Sequence, residues 1–342
     1  MDFWNPTADT VINTVGKAWV QDNQSKFLWP RLPLCRVNSF RGGWSGATTI
    51  KLPKLETFLN SQMQPWLPGQ PRPQARETST SDFTIRGRGH APIPVAFPDG
   101  LTGPQRLLWY NQRMPGILSE MWIGMDKALA TFLTSTANFG AAKTFTGGPL
   151  QNPTLWATQN PINDLLTQTQ AIRVYKDSTR FKFVAILDRF VTDVLRQHPS
   201  ITGAAYTDGA TAVSGAGVSA AVDDAALISK LRSLVGFEEI YIGESSANVA
   251  VPGATADIES TTNGLLWTGL VTRQQEADLR DPMLEDFPDG AFTLAIGRVP
   301  TVEENVAKRE AVLFVDGSVE YAWNKIRGET FGCFWDSTTI FT

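Results

Sequence analysis

The chain has 342 residues, 42% hydrophobic and 19% charged, enough for one large core or two to three lobes sharing one chain and too apolar for bulk disorder. No stretch nears the ~18 apolar residues of a membrane span, and the start MDFWNPTADT lacks the features of a secretory signal, so a product made and kept in a cytoplasm is expected. The net charge of -4 does not suit a dedicated nucleic-acid reader, and it hides a split: residues 1–120 carry 13 Lys and Arg against 8 Asp and Glu, the other 222 carry 17 against 26. Either the basic part rests on an acidic surface of the same chain or a neighbour, or solvated surface composition has drifted.

Thr10 to Val20 form a short amphipathic stretch, followed by FLWPRLPL, whose Pro30 and Pro33 predict an extended arm. From Phe40 to about Val95 glycine, proline and arginine alternate with isolated apolar residues. TTIKL and SDFTIRG read there as two strands of a long projection with little core of its own, expected to be mobile alone and ordered on a neighbour. Gly103-Pro104 opens the most regular segment, with Leu107, Leu108, Met114, Leu118, Met121, Trp122, Met125, Leu129, Phe132 and Leu133 at helical spacing. A rod of roughly 45 Å follows from ~1.5 Å per residue, kinked or split at Pro115-Gly116.

Asn160-Pro161 starts a second helix, FKFVAIL (181–187) is a buried strand, and a helix runs from Asp188 to His198-Pro199. Gly203 to Val222 reads as a surface loop, Asp223 to Leu234 as a helix, and EEIYIG, LLWTGLV and FTLAIGRV as strands. The tail VLFV, Asp316-Gly317, SVEYAW reads as a hairpin turning at Asp-Gly. Trp109, Trp122, Trp267 and Trp323 lie inside regular patterns and read as core, which speaks against a β-rich binding module with an aromatic platform.

Chemistry finds little support. His90 and His198 are the only imidazoles, and His198 suits a helix C-terminus by its charge. GGWSG fails the spacing of a nucleophile elbow, and Gly215, Gly217 and Ala220 match a dinucleotide fingerprint without the strand it needs, with Glu238 or Glu239 beyond. Glu276, Asp278, Asp281, Glu285, Asp286 and Asp289 lack calcium-loop spacing and read as solvated surface. Arg86, Arg88 and His90 make a small basic patch near Phe83. Cys35 and Cys333 read as free thiols. No catalytic, cofactor or metal residue is assigned.

Taken in order, an arm, an extended loop, a spine-length helix, an α/β lobe and closing strands resemble the coat-protein fold shared by tailed double-stranded DNA bacteriophage shells and encapsulin compartments. WATQNPINDLLTQTQAI, VAILDRFVTDVLRQHPSI, GFEEIYIGESSANVA, GLLWTGLV and EAVLFVDGSVEYAW follow the family order. The resemblance implies an α+β subunit with an N-terminal arm (1–40), an extended loop (41–95), a peripheral domain with the spine helix (96–159), an axial domain (160–300) and returning peripheral strands (301–342). It implies a structural subunit and no enzyme, assembling with its own copies into hexamers and pentamers of a virion capsid. Scaffolding and portal proteins, a decoration protein and sequence-independent contact with packaged DNA are the further partners implied, with no membrane and no cofactor. An encapsulin-like compartment is the alternative. Arg41, Arg72, Arg76, Arg86 and Arg88 are the expected inter-subunit contacts. Lys51 and Lys54 lie where some relatives cross-link, and the arm begins too early to leave much room for a cleaved scaffolding segment.

Overall fold

The computed structural model describes residues 10–36, 48–53, 80–85, 88–89, 95–96, 102–206 without 153, 156–157 and 177–178, 222–248, 258–273 without 263, 276–278, 290–307 and 312–341. The amphipathic start is helix α1 (Thr10–Asn23), which buries Ile12, Val15 and Val20. The proline-containing stretch after it is not simply extended: single 3-10 turns occupy Gln24–Lys26 and Trp29–Arg31 before strand β1 (Leu34–Arg36). Pro30 fits because it stands in the first turn, where its missing N–H has no partner to lose. The two loop strands form an antiparallel pair, β2 (Thr48–Pro53) with β3 (Thr80–Ile85), Thr48 opposite Ile85 and Pro53 opposite Thr80. The stretch between them is outside the described residues. Two short strands follow, β4 (Arg88–Gly89) and β5 (Val95–Ala96).

Helix α2 (Gly103–Leu133) runs 31 residues, about 46 Å at 1.5 Å per residue. Gln105 Oε1 accepts from the Thr102 N–H at 3.1 Å, closing its first turn. Pro115 lies inside it, and one continuous helix replaces the expected split. Leu107 and Leu108 are exposed, so the buried stripe begins at Tyr110 and continues through Met114, Ile117, Leu118, Met121, Trp122 and Met125 to Leu129 and Leu133.

After α3 (Thr136–Phe139), α4 (Pro161–Gln168) and α5 (Gln170–Arg173) comes β6 (Phe181–Asp188), buried along its whole length. Three helices follow: α6 (Arg189–Gln197), α7 (Pro199–Tyr206) and α8 (Asp224–Val235). The first residues expected as loop are thus helical to Tyr206, and 207–221 lie outside the described residues. Asp223 caps α8 through the Ala226 N–H at 2.7 Å, and Gly236 ends it at φ 86°, a conformation glycine adopts freely. β7 (Glu239–Gly243) returns parallel to β6, a crossover that the helices bridge. Past the small pair β8 (Ser246–Asn248) and β9 (Ile258–Ser260), β10 (Leu266–Thr272) pairs antiparallel with β6, and near the end of the chain β14 (Gly332–Phe334) adds to β10. The order of this four-stranded sheet is β14-β10-β6-β7.

The second sheet places β1 between β11 (Glu276–Asp278) and β12 (Phe292–Ala307), parallel to both. Beyond β12 lie β13 (Val312–Lys325) and then β4, with β5 also on β13. Here the hairpin expectation fails. Asp316-Gly317 is not a turn but the middle of β13, with Gly317 opposite Val302 of β12, and the connection between the strands falls at 308–311, outside the described residues. A packing requirement explains the glycine: a Cβ there would sit 2.6 Å from Ile117 Cγ2 and 3.0 Å from Met121 Cε of the long helix.

Two hydrophobic cores result. One joins the four-stranded sheet, α4, α6 and α8 to Leu129 and Leu133; the other joins α1, β12 and β13 to the earlier part of α2, from Tyr110 to Met125. The arm stitches them together, sending Phe27, Trp29 and Leu34 into one and Leu28 and Leu32 into the other. Trp29 and Trp122 meet edge to face at 4.6 Å between ring centroids. All of Trp122 and Trp267 and part of Trp109 and Trp323 are buried, as core tryptophans should be.

Candidate functional site

Of the expected contact residues, Arg41, Arg72, Arg76 and Arg86 lie outside the described residues, as do His90, GGWSG and the Gly215–Ala220 match. Arg88 is placed by its backbone on β4, opposite Tyr321 of β13. The acidic run is described only at Glu276–Asp278, as β11. Among the described residues no group of three or more His, Cys, Asp and Glu side chains is placed to hold a metal. None of their helices is long and apolar enough to cross a membrane.

His198 caps the end of α6, but not as a cation. Burial lowers its pKa to about 4, so the ring is neutral over the ordinary pH range, and Nδ1 accepts from the Ser200 N–H at 3.2 Å while meeting Ser200 Oγ at 2.9 Å. This contact between neighbours on one turn closes the start of α7; so weak a base cannot activate the hydroxyl near neutrality. The Cys333 thiol is free and buried beside Thr268 Oγ1 at 3.2 Å, its pKa pushed up by burial, the opposite of what a reactive cysteine needs.

The buried polar groups instead act as fasteners. Asp188 ends β6 and starts α6: its carboxylate accepts from the Phe190 and Gly264 N–H groups and from the Ser260 and Thr262 hydroxyls, tying the strand, the helix and the β9–β10 connection to one point. Lys182, buried on β6, pairs with Glu239 on β7 at 2.6 Å, and Tyr241 donates to the same carboxylate. Burial works to raise Glu239, but the Lys182 and Tyr241 hydrogen bonds outweigh it and hold the carboxyl below its usual range; burial and Glu239 together push the Tyr241 phenol up. On the surface, Arg189, Asp193, Arg196 and Asp224 form an ion-pair network, and Phe190 on the same helix α6 is 54% exposed.

Asp126 sits where the two cores meet on α2, between Met125 of one and Leu129 of the other. Fully buried, it accepts from the Leu28 N–H at 3.1 and 3.2 Å, the Trp29 N–H at 3.0 Å and Ser245 Oγ at 2.9 Å. Three distant parts of the chain therefore close on one carboxylate. Burial raises its pKa to about 6 against the lowering effect of those hydrogen bonds and of Arg31 nearby. From sequence Asp188 is legible only as a helix start, and the one signal for Asp126 is a carboxylate at helical spacing inside an apolar stripe.

No family model and no curated protein matches the chain. Among solved structures, a phage-related protein of Bordetella bronchiseptica aligns over 98% of both chains with a TM-score of 0.57 at 13% identity. A virus-like particle from Pyrococcus furiosus aligns over 96% of this chain and 100% of that one, at 0.50 and 10%. The chain thus has, from end to end, the fold of that phage-related protein and of the virus-like-particle subunit, the coat-protein fold its sequence resembles.

Proposed function

We propose that the chain is the structural subunit of a phage shell, closing with its own copies into hexamers and pentamers around double-stranded DNA. The observation that carries this is the alignment over nearly the full length of both chains with a protein named as a virus-like particle. Two features of the chain support it. The β2–β3 ribbon is two-stranded, and such a ribbon is marginal without further surface to lie on. The described polar clusters tie distant segments of the chain to one another, Asp126 the arm to Ser245 and Asp188 β6 to the β9–β10 connection, which suits a subunit that must keep its shape in a shell. Rings of copies arise where head-to-tail contacts close. Scaffolding, portal and decoration proteins are the partners to look for, and the virion is the expected location. Arg41, Arg72, Arg76, Arg86 and Arg88 would meet acidic surface on adjacent copies.

Negative-stain microscopy and light scattering of the purified protein at micromolar concentration test the reading. Closed shells, or rings of five and six, are expected; a protein that stays monomeric under all assembly conditions overturns it. Reversing Arg86 and Arg88 to Glu is expected to impair assembly more than it lowers the subunit's melting temperature. Equal loss of both, or of neither, removes these arginines from the interface.

A further inference from the structure

The two cores meet at a seam that buried polar groups hold together. They share α2, the arm threads between them, and Asp126 is the fully buried carboxylate at that seam. Its surroundings accommodate either protonation state. When ionised, Oδ2 accepts from Ser245 Oγ, whose oxygen is within hydrogen-bond reach of Thr261 Oγ1. When protonated on Oδ2, the chain reverses: Asp126 donates to Ser245, Ser245 to Thr261 Oγ1, and Thr261 Oγ1 to the Ser245 carbonyl at 3.2 Å, while Oδ1 keeps the Leu28 and Trp29 N–H groups. No donor is stranded in either state.

The nearest cation does not neutralise the ionised form by contact. Arg31 spends its guanidinium on carbonyls, donating to Phe27 O at 3.0 Å and to Ile242 O on β7, and acts on Asp126 only through space. Burial lowers the pKa of Arg31 itself, against the fields of Asp126, Glu244 and Tyr241. Tyr241 is engaged with Glu239, and Glu239 with Lys182. From α2 comes Asp126, from the arm Arg31, and from β7 and the turn after it Tyr241 and Glu244; the remaining first neighbours of the carboxylate are neutral hydroxyls and amides.

We propose that the junction of Leu28, Trp29, Asp126, Ser245 and Thr261 is a proton-controlled clasp between the two cores, tighter with Asp126 neutral than with Asp126 ionised. The sign follows from solvation. An opened seam returns the carboxyl to water, where it ionises near pH 3.8, whereas in the closed seam it holds its proton to about pH 6. Protons bound only by the closed form favour that form. A difference of about two pH units corresponds to a closed-to-open ratio roughly 100-fold higher in acid than at neutral pH.

Hydrogen exchange at a series of pH values, corrected for intrinsic rates, measures this on the full chain. Peptides covering Phe27–Leu32 and Gly243–Ser246 are expected to gain protection by about 30-fold as pH falls from 7.5 to 4.5, the gain setting in near pH 6, while β6 and β10 do not change. In Asp126→Asn the amide oxygen accepts from the arm and the amide nitrogen donates to Ser245, so the variant is expected to be as protected at pH 7.5 as the unaltered protein in acid, with no such onset. A carboxylate that merely anchors the arm as an anion predicts the reverse: acid and Asp126→Asn would both loosen the seam, and that result overturns the proposal. If Asp126→Asn does not fold, the unaltered protein decides by itself: protection of these peptides that falls in acid, or that does not change with pH, also overturns the proposal.

Discussion

Two buried groups titrate in the same acid window with opposite signs. His198 has a folded-state pKa near 4, below its ordinary 6.5. The stability it contributes is complete above pH 6.5 and lost as pH falls toward 4, by up to about 3 kcal/mol. Asp126, raised from 3.8 to about 6, contributes most below 3.8 and loses that contribution as pH rises through 6. Urea midpoints at pH 7 and 4.5 separate them: His198→Asn is expected to be less sensitive to acid than the unaltered protein, and Asp126→Asn more sensitive. Asp188→Ala strands two backbone N–H groups and two hydroxyls at once. With about 1–3 kcal/mol for each buried group left without a partner and partial relief by entering water, a net loss of about 3–5 kcal/mol in urea unfolding is expected. The sequence shows Asp188 as a helix start but not the Ser260 and Thr262 hydroxyls that meet it, because those come from more than 70 residues away.

Among the elements, those with strong local signals are legible: α2 by its stripe and by Pro104, α8 from Asp223, β6 by its unbroken apolar run. Asp316-Gly317 misleads because the local turn signal is outweighed by a tertiary need for a flat place on β13 under Ile117 and Met121. Gly317→Ala is therefore expected to cost about 1–3 kcal/mol by overpacking, partly recovered in combination with Met121→Ala, as a double-mutant cycle in urea would measure. Gly116, inside α2, has open space where a Cβ would go. Gly116→Ala is expected to stabilise by about 0.5–1 kcal/mol, visible as a higher melting temperature.

For the whole molecule, order along the chain was readable and pairing across it was not. Nothing local tells β1 to lie between β11 and β12, or β14 to join the sheet of β6, since these registers connect residues far apart in sequence. Burial of Cys333 on β14 turns the last of these into a measurable property. In a Cys35→Ser background, alkylation of Cys333 is expected to track global unfolding, with a rate that follows urea as the loss of β6 structure does. Labelling that outruns unfolding would mean β14 detaches by itself.

The position of β1 has a consequence for synthesis. Its parallel partner on β12 begins at Leu294, 258 residues after Arg36. At roughly 5–20 residues per second a ribosome takes tens of seconds to deliver it. Through that interval Leu34–Arg36 is a strand without its sheet, and α1, Phe27 and Trp29 wait on an α2 that is complete far sooner. The arm can thus dock on the helix early while its strand is held back until the last quarter of the chain arrives, so the nascent chain passes through a state in which one end is anchored and one edge stands open to other chains on the same polysome.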